Sequence, residues 1–369
     1  MTNRLAHILL AACVLLTAAA CQLRPLEDPS EVVRIKVDVN VKAVTNVNAN
    51  IRNSVHIYGT NVSLWEEKLE QLRPELMRVL VYDPDTDKLL AQSFISAMET
   101  GDNGDTIFSG NLGISYGNYN FLVYNFDTPT TQVTAENTES GIIAYTSEIS
   151  SSTRRMLLGT KAEEPKEDNG YAGMSIRYEP EHLMVGNERN IRISPHDTLV
   201  IIRTEATTVV DTYYLQVRVR GLQFASSATA VISGLSPSNR IGLNQRTVDE
   251  PSAVAFELKK ARDTELGGDN QDILCAVFNT FGKIEDVNSE LVVTFNVYDT
   301  AGNLLQYKAN MDQVFKSELA IKYNWLIIDD SVLVIDIPEP APDPDQPGTS
   351  GGFQPQVDDW EEETGEIVL

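Results

Sequence analysis

The chain has 369 residues, 42% of them apolar, and carries a formal charge of −24. That excess of acid excludes a nucleic-acid binder, because neutralising phosphates requires clustered Lys and Arg. It also disfavours electrostatic attachment to anionic lipid, and a chain this long has room for two ordinary domains.

Leu5 to Ala20 is an apolar run entered by Arg4 and closed by Thr17-Ala18-Ala19-Ala20, directly before Cys21. This is a secretory signal peptide (residues 1–20) cut before a cysteine, the arrangement used by bacterial lipoproteins. The thiol of Cys21 is the nucleophile that takes a diacylglyceryl group, and the amine released by cleavage takes a further acyl chain. At ~0.8 kcal/mol per buried methylene, two or three chains hold a protein on a bilayer far more firmly than one. Ala18 stands where lipoproteins usually carry Leu, and ordinary secretion after Ala20 is the alternative. No later stretch has the apolar length of a membrane-spanning helix. With Cys21 acylated, Cys275 has no intrachain partner, so no disulfide is expected and Cys275 reads as a small buried hydrophobe.

Residues 21–30 form a lipid-proximal tether rich in Pro and acid. Val33 to Asn40 then alternates apolar and polar residues, the mark of a half-buried strand. The same grammar recurs at Met77 to Tyr82 and Leu89 to Ile95 around the turn Asp83 to Lys88, and at Thr106 to Leu112 and Asn118 to Phe126. Further strands are expected at Asn190 to Ile193, Thr198 to Arg203, Tyr213 to Arg220, Leu291 to Val297, Leu304 to Tyr307, Trp325 to Ile328 and Val332 to Ile337. Tyr213, Leu215, Val217 and Val219 share one face. Two short helices are expected, one capped by Ser63 and Glu66 and stopped by Pro74, the other over Met311 to Ala320. Ser151 to Gly170 reads as a long polar loop. The expected fold is all-β, with antiparallel β-sandwich domains at 31–183 and 187–337.

The segment 338–369 differs from the rest. Pro338 to Asp345 is an extended spacer, Gly348 to Gly352 a flexible joint, and the remainder sets Phe353, Val357, Trp360, Ile367, Val368 and Leu369 among carboxylates. The segment holds nine acidic residues and no basic one. This flexible acidic tail is either without a fixed structure or an extended segment that docks as a strand on its own fold or a partner.

No catalytic pattern is present. His56, His182 and His196 lack metal-ligand spacing, and His182 and His196 read as solvated loop residues. Asp83, Asp85 and Asp87 have the 1-3-5 spacing of a calcium loop, but Lys88 and Phe94 occupy the positions that need Gly and Glu. No metal, cofactor or enzymatic activity is expected. Tyr116, Tyr119, Tyr213 and Tyr214 are candidates for stacking on sugars, or equally for sheet packing.

Several stretches together resemble a family of Bacteroidota surface lipoproteins of undefined function. They include Arg24-Pro25-Leu26-Glu27-Asp28, Val81-Tyr82-Asp83-Pro84, Gly117 to Phe126, Thr212 to Gly221, Phe278 to Lys283 and Val357 to Glu361. That family is similar to the fimbrillin superfamily, in particular to the anchor subunits of type V pili. The resemblance implies two transthyretin-like sandwich domains and an outer-membrane protein held at the cell surface through lipid on Cys21. It implies a structural role in rooting or assembling a fimbrium, with fimbrial subunits as partners. A glycan-binding surface lipoprotein of a carbohydrate-uptake system is the alternative.

Overall fold

The computed structural model describes residues 35–43, 74–100, 106–159, 170–248, 250–263, 271–284 and 291–340. The signal peptide, Cys21, the tether, His56, the helix expected from Ser63, and Phe353 to Leu369 lie outside the described residues.

The first strands are β1 (Ile35–Ala43), β2 (Leu76–Tyr82), β3 (Leu89–Thr100), β4 (Thr106–Ile114) and β5 (Gly117–Asn125). Then come β6 (Thr131–Thr134), β7 (Ile143–Thr146), helix α1 (Ser151–Leu158), β8 (Ile176–Arg177), β9 (Met184–Ile193) and β10 (Leu199–Thr208). The second half holds β11 (Asp211–Arg220), β12 (Ala225–Leu235), β13 (Ser238–Arg240), β14 (Gln245–Arg246), β15 (Ser252–Glu257), β16 (Lys259–Asp263) and β17 (Gln271–Thr280). It closes with β18 (Val292–Asp299), β19 (Leu304–Asn310), helix α2 (Glu318–Tyr323), β20 (Trp325–Ile328) and β21 (Ile335–Asp336).

The all-β expectation holds. The first sandwich is closed into a barrel in the order β1-β10-β9-β5-β2-β3-β4, with β10, β1 and β4 on one side and β9, β5, β2 and β3 on the other. Short pairings between β9 and β10 and between β3 and β4 join the layers at two corners, closing a seven-stranded circuit. Alternation along the strands sends Val41, Met77, Val79, Val81, Phe108, Phe121 and Val123 into the space between layers. The second sandwich stacks β16-β17-β11-β20 on β19-β18-β12-β15-β8. Its core takes Tyr213, Leu215, Val217 and Val219, the face read from the sequence, together with β12, β17 and β18. Phe256 and Phe278 stack there with centroids 4.5 Å apart, a geometry worth about 0.5–1.5 kcal/mol beyond burial.

Four expectations need correction. The strands around Asn190 and Thr198 belong to β9 and β10 of the first sandwich, so the chain changes sandwich between β10 and β11 and not at 183–187. The sheets are not wholly antiparallel, since β1–β10, β11–β20, β11–β21 and β15–β8 pair parallel. The start of the expected loop at Ser151 is α1, whose N-cap Ser150 accepts from Thr153 N at 3.1 Å. Leu158 and Ile176 then pack with Val231 and Ala253 on the outer face of the second sandwich. The helix expected over Met311 to Ala320 starts later, because Ser317 caps it by accepting from Ala320 N at 3.2 Å.

Candidate subunit-contact surface

The second sandwich ends in edge strands, and two seams of the closed first domain are paired over only part of their length. Among the described residues some outward N–H and C=O groups therefore have no ladder partner, and such edges are templates for another chain. β9 and β10 pair only at Thr207↔Val185 and Thr208↔Met184, then part into opposite layers. Gly186 still lies against Thr204 and the Glu205 carbonyl, and beyond it residues 187–193 and 199–203 present two edges with no ladder partner among the described residues. Along β10, Ile202, Thr204 and Ala206 point inward, while Leu199 and Ile201 point out with 48% and 44% of their surface exposed. Natural edges are commonly protected by charge or proline, and apolar side chains there mark a contact surface. A hollow of about 350 Å³ among Val41, Ile107, Arg203 and Glu205 continues the same layer. The edge strand β16 of the second sandwich is different, with exposed Lys259 and Lys260, and Arg262 paired to Asp272 at 3.2 Å.

A small sheet, β14-β13-β7-β6, ties the two sandwiches together. It covers the outer face of β2 and β5, where Leu80, Tyr82, Leu122 and Tyr124 pack on Ile142, Ala144, Ile241 and Phe281. Tyr82 donates to Glu136 O at 2.9 Å and Tyr124 donates to the Glu136 carboxylate. Burial pushes both phenols well above their usual range, followed by the Glu136 charge at Tyr82 and by the hydrogen bond to Glu136 at Tyr124. Arg78 meets Glu136 at 2.7 Å and lies over the rings of Phe94 and Phe126, 5.4 and 5.2 Å from their centroids.

The expectation for His182 fails. It is 1% exposed, with Nδ1 2.9 Å from Thr208 Oγ1 and Nε2 2.9 Å from Thr212 Oγ1. Thr212 in turn donates to Asn279 Oδ1 at 2.7 Å. Histidine here satisfies two hydroxyls on either side of the step from β10 to β11, and so fixes the crossing. The boundary expected between the domains at 183–187 placed it in a loop, which concealed that role. His196 stays exposed, as expected.

The remaining candidates resolve into structural roles. Tyr119, Tyr213 and Tyr214 are buried and only Tyr116 of that group is exposed, so the four form no platform for sugars. Asp83 Oδ1 accepts from Asp85 N at 2.9 Å, and Asp87 accepts from Ser140 N at 3.0 Å, so these carboxylates stabilise their turns. Cys275 is fully buried, and burial pushes its thiol up to about 11. Among the described residues, no group of three His, Cys, Asp or Glu could hold a metal ion.

A family model described as a domain of unknown function (DUF5119) matches residues 49–257, more than half of the chain. The chain belongs to that family. This DUF5119 protein is also similar to a Bacteroides ovatus protein provisionally named fimbrium anchoring subunit Fim4B, at 24% identity over 239 residues. The match covers 64% of the chain and spans 61% of Fim4B's length. A crystal structure from B. ovatus, provisionally described as an adhesin, shares the fold with a TM-score of 0.54 at 17% identity, covering 82% of this chain and 93% of that one. The fimbrial anchor protein Mfa2 of Porphyromonas gingivalis aligns over 80% of this chain and 88% of its own, with a TM-score of 0.44 at 11% identity.

Proposed function

We propose that this DUF5119 protein is a lipid-anchored structural subunit of the cell surface that roots a fimbrium or takes part in its assembly. Contacts form by addition of β-strands, and no chemical step is involved. The observation that carries this reading is the β9–β10 flank, where two backbone edges without a ladder partner among the described residues lie beside exposed Leu199 and Ile201. An incoming strand gains ladder hydrogen bonds from an edge and buries the two branched side chains. Similarity to Fim4B supports a fimbrial setting. Cys21 after its signal peptide supports attachment to the outer membrane.

The test uses a photo-crosslinking residue at Ile201 in intact cells, with Ile321 of α2, 74% exposed, as the control position. The expected product is an adduct with a fimbrial subunit from position 201 and none from 321. Identical adducts from both positions, or normal fimbriae on cells carrying Ile201→Asp, would refute the contact. Cys21→Ala should move the protein out of the membrane fraction, and a variant that stays there overturns the anchor.

A further inference from the structure

A cleft of about 590 Å³ opens where the chain crosses from one sandwich to the other. Asp211, Asn239, Gln245, Arg246, Val248 and Lys283 give it its chemistry. Four features specify an occupant. First, β14 is the outermost strand of the connecting sheet among the described residues, so a backbone edge at Gln245–Arg246 with no described ladder partner forms one wall. Second, Asn239 is 3% exposed and its Oδ1 has no hydrogen-bond partner, a buried acceptor that calls for a donor. Third, Arg246, which meets Asp211 at 2.6 Å, and Lys283, whose Nζ lies 5.9 Å from the Phe315 ring centroid, give the lining two cations to one carboxylate. Fourth, Val248 offers an apolar surface 41% exposed. Together these suit an extended, acidic peptide with interspersed apolar side chains. Its N–H groups would meet Asn239 and the β14 edge, and its carboxylates would meet the cations.

The same chain contains such a peptide. Residues 353–369 carry Asp358, Asp359, Glu361, Glu362, Glu363 and Glu366, no basic residue, and the apolar Val357 and Trp360. The path is long enough. The described chain leaves the second sandwich at Ile337, whose N–H donates to Arg220 O at 2.9 Å, at the far end of β11 from Asp211. Nine strand steps from Arg220 to Asp211 cover ~30 Å. The spacer 338–352 spans ~46 Å if extended at ~3.1 Å per residue.

We propose that residues 353–369 of this chain lie in the cleft as an added strand on β14. The inference is independent of the fimbrial reading, because both partners are in one polypeptide.

Hydrogen exchange on the full chain and on a variant ending at Gly352 tests it. The expected result is exchange across 243–248 at least about tenfold slower in the full chain, with β17 unchanged as the control. Neutralising the tail in place (Asp358→Asn, Asp359→Asn, Glu361→Gln, Glu362→Gln, Glu363→Gln) leaves every described side chain intact, and should abolish the protection. Lys283→Glu should do the same. Equal exchange with and without the tail overturns the proposal. So does protection that rises with protein concentration, which puts the tail in a second copy. Protection of 243–248 by added polygalacturonate but not by the tail overturns it in favour of an acidic glycan.

Discussion

Gly242 tests the junction most directly. It follows β13, and its carbonyl accepts from Arg189, while Ile241 O accepts from Asn187 Nδ2 at 3.4 Å. A Cβ placed on Gly242 would overlap Glu139 O and lie 2.9 Å from both the Glu139 carbonyl carbon and Ile142 Cγ2. Two of these atoms are backbone and cannot rotate away, so Gly242→Ala must push the β13–β14 hairpin off the turn before β7. Overpacking costs typically 1–3 kcal/mol, and an obstacle of main-chain atoms places this case near ~3 kcal/mol. At roughly 2–4 °C per kcal/mol for a protein of this size class, the melting temperature should fall by ~6–12 °C. Gly302→Ala is the reference. Gly302 has φ +76 with nothing within 4 Å of an added Cβ, so the variant incurs only left-handed backbone strain of about 1–2 kcal/mol. Thermal melts followed by circular dichroism in one buffer compare the two. If Gly242→Ala melts within about 2 °C of the parent, or above Gly302→Ala, the close approach of hairpin and turn is wrong.

Three further outcomes are expected. His182→Leu removes both ring contacts, leaving Thr208 Oγ1 its bonds to Val210 and Thr212 Oγ1 its bond to Asn279, and should lower stability by about 1–3 kcal/mol in urea titration; an unchanged midpoint would contradict a pinning role. With its thiol near 11, Cys275 is thiolate in only about one molecule in a thousand at pH 8. Alkylation of Cys275 should therefore wait for unfolding, and modification of the native protein within minutes would show that the site is open. The backbone N–H of Asp85, then the Thr86 side chain, hold Asp83 below the usual carboxylate range. That contribution is present above the ordinary Asp pKa near ~4 and is lost as pH falls through the depressed value. The stability gap between the parent and Asp83→Ala should thus narrow from pH 6 towards pH 2.5, and a gap that widens on acidification would reverse the sign.

The strand pattern located β1, β2, β5, β10 and β11, from alternation or from β-branched and aromatic runs bounded by turn residues, although the second faces of β2, β5 and β11 are covered and not wet. It could not locate β12, Ala225–Leu235, whose long run of buried positions is built from small residues and is covered on both faces. β13 and β14 are too short to show a period, yet they form the connecting sheet. The boundary was misplaced for a related reason. A shift in composition marks Glu179-Pro180, but the true crossing is the two residues Val209-Val210, both apolar, with Val210 buried in the junction. Parallel pairing of β1 with β10 joins residues more than 150 apart, and no local pattern encodes it. The edge residues Leu199 and Ile201 stand in the continuous apolar run Leu199-Val200-Ile201-Ile202, which does not say which of them face out. Their exposure, with β10 as an edge strand, required the fold.

β1 lies between two neighbours along its whole length, with Lys36 to Ala43 against β10 and Ile35 to Ala43 against β4. Tension applied through the polypeptide upstream of Ile35 acts along the strand axis, across the direction of those bonds. Both ladders are then loaded in shear, many bonds at once, and cannot be unzipped singly from a free end. A strand clamped in this way resists extraction until the layer fails as a unit, a favourable geometry for any attachment point that must bear a pulling force.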